Sequence, residues 1–217
     1  MNLAERYRPS TWGELIGQER VKRVVDHLRT HGGLGGRAYW ISGKSGQGKS
    51  TIAWLLAREI ADDLSITEIT GCKLSVERLD EISRNRFLYG GLFSTRGKLG
   101  KAYIVNEAHG TSGRCMQMLL DILEAVPEHV MWIFTTTEDG QLAFIDGIDA
   151  KPFLSRCTKL ELTSQGLAKA FAERAQQIAQ AEGLDGKPAS AYLRLVNDCG
   201  GNMRDALNRI EALEMLA

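Results

Sequence analysis

Long apolar runs are missing from this 217-residue chain, and none approaches the roughly 18 residues that a membrane-spanning helix needs. The first residues, Met1 to Arg6, lack the apolar core of a signal peptide, so we expect a cytoplasmic protein. An excess of positive charge is missing too, because Lys plus Arg and Asp plus Glu both number 27. Any contact with DNA must therefore come from a local patch.

Closely spaced cysteines are also lacking. The four cysteines are Cys72, Cys115, Cys157 and Cys199, and they form no C-x-x-C pair. This spacing argues against a zinc site or a disulfide framework and favours buried or idle thiols in a reducing compartment. The length allows one large domain, or one domain with a small second one.

The strongest motif in the chain is a glycine-rich stretch, Gly43 to Thr51, that fits the pattern G-x-x-x-x-G-K-[ST] without a mismatch. Glycine lets backbone N–H groups approach a polyphosphate closely. Lys49 would reach the β- and γ-phosphates, and the Ser50 hydroxyl would bind Mg²⁺. We therefore predict that the chain binds a nucleoside triphosphate. The predicted phosphate loop comprises Gly43, Lys44, Ser45, Gly46, Gln47, Gly48, Lys49, Ser50 and Thr51.

Strands and helices alternate over the first part of the chain, which predicts a doubly wound parallel sheet of the α/β class. Apolar runs predict strands at 38–42, 65–70, 102–105, 130–134 and 158–162. Helical periodicity covers 19–30, 51–61, 76–86 and 115–126, and then 167–181, 189–198 and 203–216. We predict a nucleotide-binding α/β domain over residues 1–162 and a small helical lid domain over residues 163–217.

Residues 5–18 are predicted to form an ordered, extended lead-in, since Pro9 disfavours helix at Arg8. Within this segment, Tyr7, Trp12 and Ile16 could pack over a nucleotide base or fill the domain's own core. Composition leaves both interpretations open.

A basic and aromatic stretch lies between Ile82 and Asn106, where cations occur without any acid. The cations are Arg84, Arg86, Arg96, Lys98 and Lys101, and the interleaved aromatic residues are Phe87, Tyr89 and Phe93. Such a loop suits contact with a sugar–phosphate backbone. The alternative is a solvated loop whose charges only maintain solubility.

Polar residues follow the predicted strand at 102–105, at the sheet edge where parallel α/β proteins place their chemistry. Glu107 can act as a general base if it reaches a water in line with the γ-phosphate. The alternative for Glu107 is an ordinary surface acid. Asn106 is unexpected at this position, because a neutral amide oxygen is a poorer Mg²⁺ ligand than a carboxylate.

Several stretches together resemble the clamp-loader ATPases of the AAA+ superfamily, which include the bacterial DNA polymerase III gamma/tau subunits and the small subunits of replication factor C. The resemblance covers residues 5–210. It rests on 6–11 (RYRPST), 16–19 (IGQE), the phosphate loop, 104–109 (IVNEAH), 155–157 (SRC) and 200–207 (GGNMRDAL). The SRC and G-x-x-R-D-A elements make it specific.

This resemblance implies roles for individual residues. Tyr7, Arg8, Pro9, Ile16 and Gly17 would line the adenine pocket. The catalytic set would be Lys49, Glu107, Thr137, Arg156 and Arg204, and the metal ligands would be Ser50 and Asn106.

Three of these roles need qualification. Thr137 would orient the attacking water, with Thr136 as the nearest rival for the alignment. Arg156 would be an arginine finger acting on a neighbouring subunit, although an arginine here could also form a structural salt bridge. Arg204 would be a sensor from the lid. Its predicted place in the first turn of a helix, where the dipole disfavours cations, supports a specific role.

The sequence also departs from the family. Asn106 replaces an aspartate, the bacterial zinc-binding insertion is missing, and the stretch 138–154 is longer than usual. The family continues into a helical collar, whereas the sequence stops at Ala217, which implies a fragment or a different mode of assembly.

The resemblance implies an ATP- and Mg²⁺-dependent subunit that loads a sliding clamp onto primer–template DNA. Its expected partners are other AAA+ subunits, reached by Arg156 in trans, the clamp and the DNA. Two alternatives stay open: a structural subunit that binds but does not hydrolyse nucleotide, and a related ATPase of DNA repair or recombination.

Overall fold

Five parallel strands form the sheet that organises the chain in this computed structural model, which describes residues 1–85, 87–88, 98–137 and 151–216. The strands are β1 (Arg37–Ser42), β2 (Ile66–Thr70), β3 (Lys101–Asn106), β4 (Val130–Thr136) and β5 (Cys157–Glu161). Their spatial order is β2-β3-β4-β1-β5, and every neighbouring pair is parallel. All five carboxyl ends therefore lie along one edge.

The central strands are buried because helices cover both faces of the sheet. All seven residues of β4 are buried, whereas no residue of the edge strand β2 is buried. Alternate side chains enter two separate cores, as the strand period requires. Tyr39 and Ile41 of β1 pack into one core, and Ala38 and Trp40 pack into the other.

The helices of the α/β part divide between these two cores. Helices α2 (Glu19–His31) and α3 (Lys49–Ile60) pack on the first face. Helices α4 (Val76–Arg84), α5 (Gly113–Glu124) and α6 (Lys151–Ser155) pack on the second. Short 3-10 helices occupy Asp63–Ser65, Gly71–Lys73 and Ala108–Gly110. The hydroxyls of Ser75 and Ser112 cap α4 and α5 by accepting backbone N–H groups of the first turn.

A third apolar cluster joins the C-terminal helices to the first residues of the chain. Helices α7 (Ala168–Ala181), α8 (Ala189–Asp198) and α9 (Met203–Glu211) bury one face each against one another. Helix α1 (Leu3–Arg6) packs in the same cluster, where Leu3 is only 2% exposed. The N-terminal segment therefore connects the helical part to the sheet. A domain boundary between residues 162 and 163 remains a prediction.

Most predicted elements are present, with shifted ends. The strand and helix around the phosphate loop occur as predicted, but the last helix ends at Glu211 rather than at residue 216. Helix α1 overlaps the start of the lead-in at Glu5 and Arg6, which the sequence pattern predicts to be extended, and helix α6 lies in a segment predicted to be a loop. Residues 138–150 of the long predicted loop lie outside the described residues. No helix within the described residues has the length and apolar surface that a bilayer crossing requires.

Candidate nucleotide-binding site

The phosphate loop connects β1 to α3 and has a backbone that depends on glycine. Gly46 and Gly48 have φ values of +78° and +91°, in the left-handed region that residues with a Cβ rarely adopt. A Cβ on Gly46 would also lie 1.9 Å from Oδ1 of Asn202. Asn202 caps α9 by accepting the backbone N–H of Asp205. The loop therefore packs directly against the start of the last helix.

Lys49 begins α3, and its side chain folds back over the loop. Its Nζ donates to the carbonyl oxygens of Gly43 at 2.8 Å and Lys44 at 2.9 Å, and the residue is only 8% exposed. Neutral carbonyls are weaker partners for an ammonium group than a phosphate oxygen. The side chain is thus placed at the mouth of the loop, where a phosphate would offer it a stronger bond.

A cavity of roughly 490 Å³ opens in front of this loop, between the sheet part and the helical part. The loop contributes Ser45, Gly46, Gln47, Gly48, Lys49, Ser50 and Thr51. The N-terminal segment contributes Tyr7, Arg8, Pro9 and Ile16, all of which were predicted, together with Asn2, Ala4, Glu5, Glu14 and Leu15. The helical part contributes Phe171, Arg174, Ile178, Met203, Arg204 and Leu207. A polar phosphate cradle therefore faces an apolar wall, as a nucleotide requires.

The structure places the three aromatic and apolar lead-in residues Tyr7, Trp12 and Ile16, for which the sequence left two interpretations open, in two different environments. Tyr7 and Ile16 line the cavity and pack on the third cluster, whereas Trp12 packs against the core of the sheet. Gly17 does not line the cavity among the described residues. A Cβ there would lie 2.5 Å from the Leu167 side chain, so Gly17 permits close packing onto the helical part.

Tyr7 ties the lead-in to the helical part. Its hydroxyl donates to Oε1 of Glu182 at 2.6 Å, and Arg6 donates to both oxygens of the same carboxylate. The hydrogen bond raises the pKa of Tyr7 and, from the other side, lowers the pKa of Glu182. Arg174 lies with its Cζ 5.9 Å from the centre of the Tyr7 ring.

Glu107 is the acid that the sheet presents to the cavity. It follows β3 in a left-handed conformation with φ of +49°, and its side chain is 47% exposed. Its backbone N–H donates to Thr135 Oγ1 at 3.4 Å, and its Oε2 lies 3.5 Å from Nδ1 of His109. A solvent-accessible carboxylate in this position can accept a proton from a water in the cavity.

The remaining predicted residues of this edge do not line the cavity among the described residues. Asn106 has hydrogen bonds to Thr135 and to Glu68. Thr137 follows β4 and is half-buried, while the fully buried Thr136 donates its hydroxyl to the Thr137 carbonyl at 3.2 Å. The roles predicted for Asn106 and Thr137 therefore need a rearrangement or a bridging water.

Arg156 directly precedes β5 and so lies at the amino end of the sheet, whereas the phosphate loop follows β1 at the carboxyl end. Because β1 and β5 are parallel neighbours, the length of a strand separates the loop from Arg156. Its Nη2 donates to Oε1 of Glu124 at 2.6 Å, and its Nη1 donates to the Pro152 carbonyl at 2.8 Å. The side chain is 30% exposed. It does not line the cavity in front of the phosphate loop. Both predictions for Arg156, a structural salt bridge and an arginine finger that acts on a neighbouring subunit, are compatible with this position.

Arg204 lies in the first turn of α9 and lines the cavity, as predicted. Arg204 is exposed, so water screens the repulsion between its positive charge and the helix dipole, and its place at a helix N-terminus costs little free energy.

The predicted DNA patch is described only in part, since Arg86 and Arg96 lie outside the described residues. Arg84 is exposed in the last turn of α4. Lys98 donates to the Arg58 carbonyl, and Lys101 donates to the Asn85 carbonyl at 3.4 Å.

The sequence pattern misses the residues that connect the two parts of the chain. Gln18 is one of them: it is 6% exposed, and its amide pairs with the backbone N–H and carbonyl of Thr163. Arg174 and Phe171 are others, since they bring the helical part to the cavity. Helical periodicity identifies the buried face of α7, but it does not show that part of this face meets a ligand cavity.

The fold and the loop geometry are those of AAA+ P-loop proteins, in agreement with the fold class predicted above. The solved structure of the Thermotoga maritima RuvB Holliday junction branch migration motor superposes with a TM-score of 0.67 and 21% identity. The match covers 94% of this chain and 64% of that one. At this identity the likeness establishes the fold.

The sequence comparison finds similarity to DNA polymerase III gamma and tau subunits. The chain is 26% identical over 228 residues to DNA polymerase III subunit gamma/tau of Mycoplasma pneumoniae, covering 97% of this chain and 32% of that protein. It is 28% identical over 226 residues to DNA polymerase III subunit tau of Escherichia coli K12, covering 95% and 33%. The predicted resemblance to clamp-loader AAA+ proteins is confirmed. The chain spans about a third of the length of these two relatives, and no protein-family model matches it.

Proposed function

We propose that this chain binds and hydrolyses ATP as an AAA+ subunit of clamp-loader type in DNA replication. The observation that carries the proposal is one cavity that brings together the phosphate loop, Glu107 of the sheet and Arg204 of the helical part. The similarity to gamma/tau subunits over nearly the whole chain supports the clamp-loader assignment.

The residues present fit a nucleotide and its magnesium ion. The glycine conformations of the loop leave room for phosphate, and the Ser50 hydroxyl, a predicted metal ligand, is a hard oxygen donor in the same cavity, whereas the other predicted ligand, Asn106, does not line it among the described residues. Bound ATP and Mg²⁺ would supply a reactive phosphate whose charge the ion partly neutralises. In this proposal Lys49 binds the phosphates, Glu107 accepts the proton of a water, and Thr137 orients that water.

Steady-state ATP hydrolysis with Mg²⁺ tests the enzymatic part. We expect turnover in the wild type and a loss of about a hundredfold or more in Glu107→Gln, which cannot accept a proton. Glu173→Gln is the matched control, since Glu173 is an exposed acid on α7 that does not line the cavity. Equal rates in all three proteins would contradict the role of Glu107.

The proposed partners are other AAA+ subunits, a sliding clamp and primer–template DNA. The position of Arg156 at the far end of the sheet supports action in trans on a neighbour's nucleotide. The basic residues Arg84, Lys98 and Lys101 are the described candidates for DNA contact. Sedimentation with ATP and primed DNA should show oligomers, and a monomer at every concentration would contradict assembly.

A second candidate function is a structural subunit that binds ATP without hydrolysing it. The engagement of both polar atoms of Asn106 by protein groups favours it, because Asn106 does not line the cavity among the described residues. Tight ATP binding without turnover in the wild type would select this alternative. The fold-level likeness to RuvB does not by itself favour a role in repair or recombination.

A further inference from the structure

Gln47 lies within the phosphate loop, and each polar atom of its carboxamide has a protein partner. Its Oε1 accepts the backbone N–H of Lys44 at 2.7 Å, so this end of the side chain closes a turn inside the loop. Because a backbone N–H can only donate, the contact identifies Oε1 as the acceptor side of the amide. The Nε2 group then donates to Ser164 Oγ at 3.2 Å, outside the loop.

The path of this side chain depends on the glycine at position 43. A Cβ on Gly43 would lie 2.6 Å from Gln47 Oε1 and 2.9 Å from Leu162 Cβ. Both distances are shorter than non-bonded atoms tolerate, so a larger residue at position 43 would displace the Gln47 side chain. The carboxamide therefore passes across Gly43 to reach the segment that leaves β5.

Ser164 lies where the chain passes from the sheet part to the helical part. It follows β5, and its carbonyl accepts the Leu167 N–H at 3.2 Å in the turn that begins α7. The turn before α9 packs on the same serine, because a Cβ on Gly201 would lie 3.2 Å from Ser164 Cβ. Arg204 is three residues further along, in the first turn of α9. Ser164 thus contacts the phosphate loop on one side and the segment that carries Arg204 on the other.

We propose that Gln47 is a positioning residue, which holds the helical part against the phosphate loop through Ser164 and thereby fixes Arg204 over the bound phosphates. The inference rests on the proposed nucleotide function and deepens it. Gln47 and Arg204 both line the cavity but belong to different parts of the chain, so a phosphate can meet the loop and Arg204 together only at one relative position of these parts.

The bond from Gln47 to Ser164 is suited to specify that position. The nearby approach of Gly46 to Asn202 is a contact of close packing, whereas the hydrogen bond from Gln47 has a direction. The same side chain also bonds within the loop, so the place of the helical part depends on the conformation of the loop.

The test compares ATP affinities in the presence of Mg²⁺ for the wild type, Ser164→Ala, Arg204→Ala and the double variant. Ser164→Ala removes the partner of Nε2 and leaves the bond between Gln47 and Lys44 in place. We expect it to lower the affinity about fivefold, and Arg204→Ala about tenfold, which leaves binding measurable. In the Arg204→Ala background, Ser164→Ala should lower the affinity less than about twofold, since the bond acts through Arg204. Ser190→Ala is the matched control, because this exposed serine in the first turn of α8 does not line the cavity, and it should leave the affinity unchanged.

Gln47→Met gives a second readout, because methionine keeps the length of the side chain and loses both hydrogen bonds. It should lower the affinity more than Ser164→Ala does, and only the share that Ser164 carries should disappear in the Arg204→Ala background.

Two results would overturn the positioning role of Gln47. One is an equal loss from Ser164→Ala with and without Arg204, because a bond that only stabilises the loop acts regardless of that arginine. The other is a Ser164→Ala protein that binds ATP as tightly as the wild type. Wild-type protein that binds no ATP would instead overturn the proposed function, and this inference with it.

Discussion

The contact between Gln18 and Thr163 predicts an unusual order of stability among variants. Gln18 Nε2 donates to the Thr163 carbonyl at 2.7 Å, and Gln18 Oε1 accepts the Thr163 N–H at 3.2 Å. Gln18→Ala removes both bonds, and at about 1 kcal/mol each the free energy of unfolding falls by about 2 kcal/mol. Gln18 also has φ of +61°, where a residue with a Cβ is strained by about 1 kcal/mol. Gln18→Gly releases this strain, so its net loss should be only about 1 kcal/mol.

Urea unfolding of the three proteins measures these differences. Glycine should be more stable than alanine at position 18, the reverse of the ordinary preference. Gln165 is the matched control, because it is an exposed glutamine just after the same connection and lacks a positive φ. At position 165 alanine should be at least as stable as glycine. A Gln18→Gly protein less stable than Gln18→Ala would refute the reasoning.

Further predictions concern the phosphate loop, Arg156 and the thiol of Cys157. Gly46→Ala should weaken ATP binding at least about tenfold, because its Cβ meets the capping side chain of α9, whereas Gly166→Ala, with φ of +75° and nothing within 4 Å, should only lose about 1 kcal/mol of stability. Glu124→Gln weakens the ion pair that holds Arg156, which leaves the arginine freer to reach a neighbouring subunit's nucleotide in the proposed assembly. The protein concentration that gives half-maximal ATP turnover should therefore fall about threefold, and an unchanged concentration dependence would contradict this. Desolvation raises the pKa of the partly buried Cys157 to about 12, so its thiol should react with a thiol reagent more slowly than that of the exposed Cys72; equal rates in the folded protein would contradict this.

The sequence was sufficient to predict those parts of the structure that depend on residues close together in the chain. The phosphate loop is one such part, because its glycines and Lys49 serve the same purpose in any protein that forms it. The buried central strands are another, since apolar runs such as 130–134 are stable only between two layers of helices.

The contacts between distant segments could not be predicted in this way. Helix α1 has four residues, and burial of Leu3 against the C-terminal helices explains its formation better than propensity does. The pairing of Asn106 with Glu68 depends on the strand order and register of β2 and β3, neither of which a single sequence specifies. Helix α6 begins with Lys151-Pro152, and Pro152 in the first turn was the signal that could have revealed it.

Equilibrium binding of ATP in the presence of Mg²⁺ is the most direct test of the central claim, which is that the cavity in front of the phosphate loop binds nucleotide. Lys49→Ala removes the ammonium group at the mouth of the loop, and Lys169→Ala removes an exposed lysine of α7 that does not line the cavity. We predict that Lys49→Ala lowers the affinity by about tenfold to a hundredfold and that Lys169→Ala leaves it unchanged. Equal affinity in all three proteins, or no ATP binding by the wild type, would contradict the account.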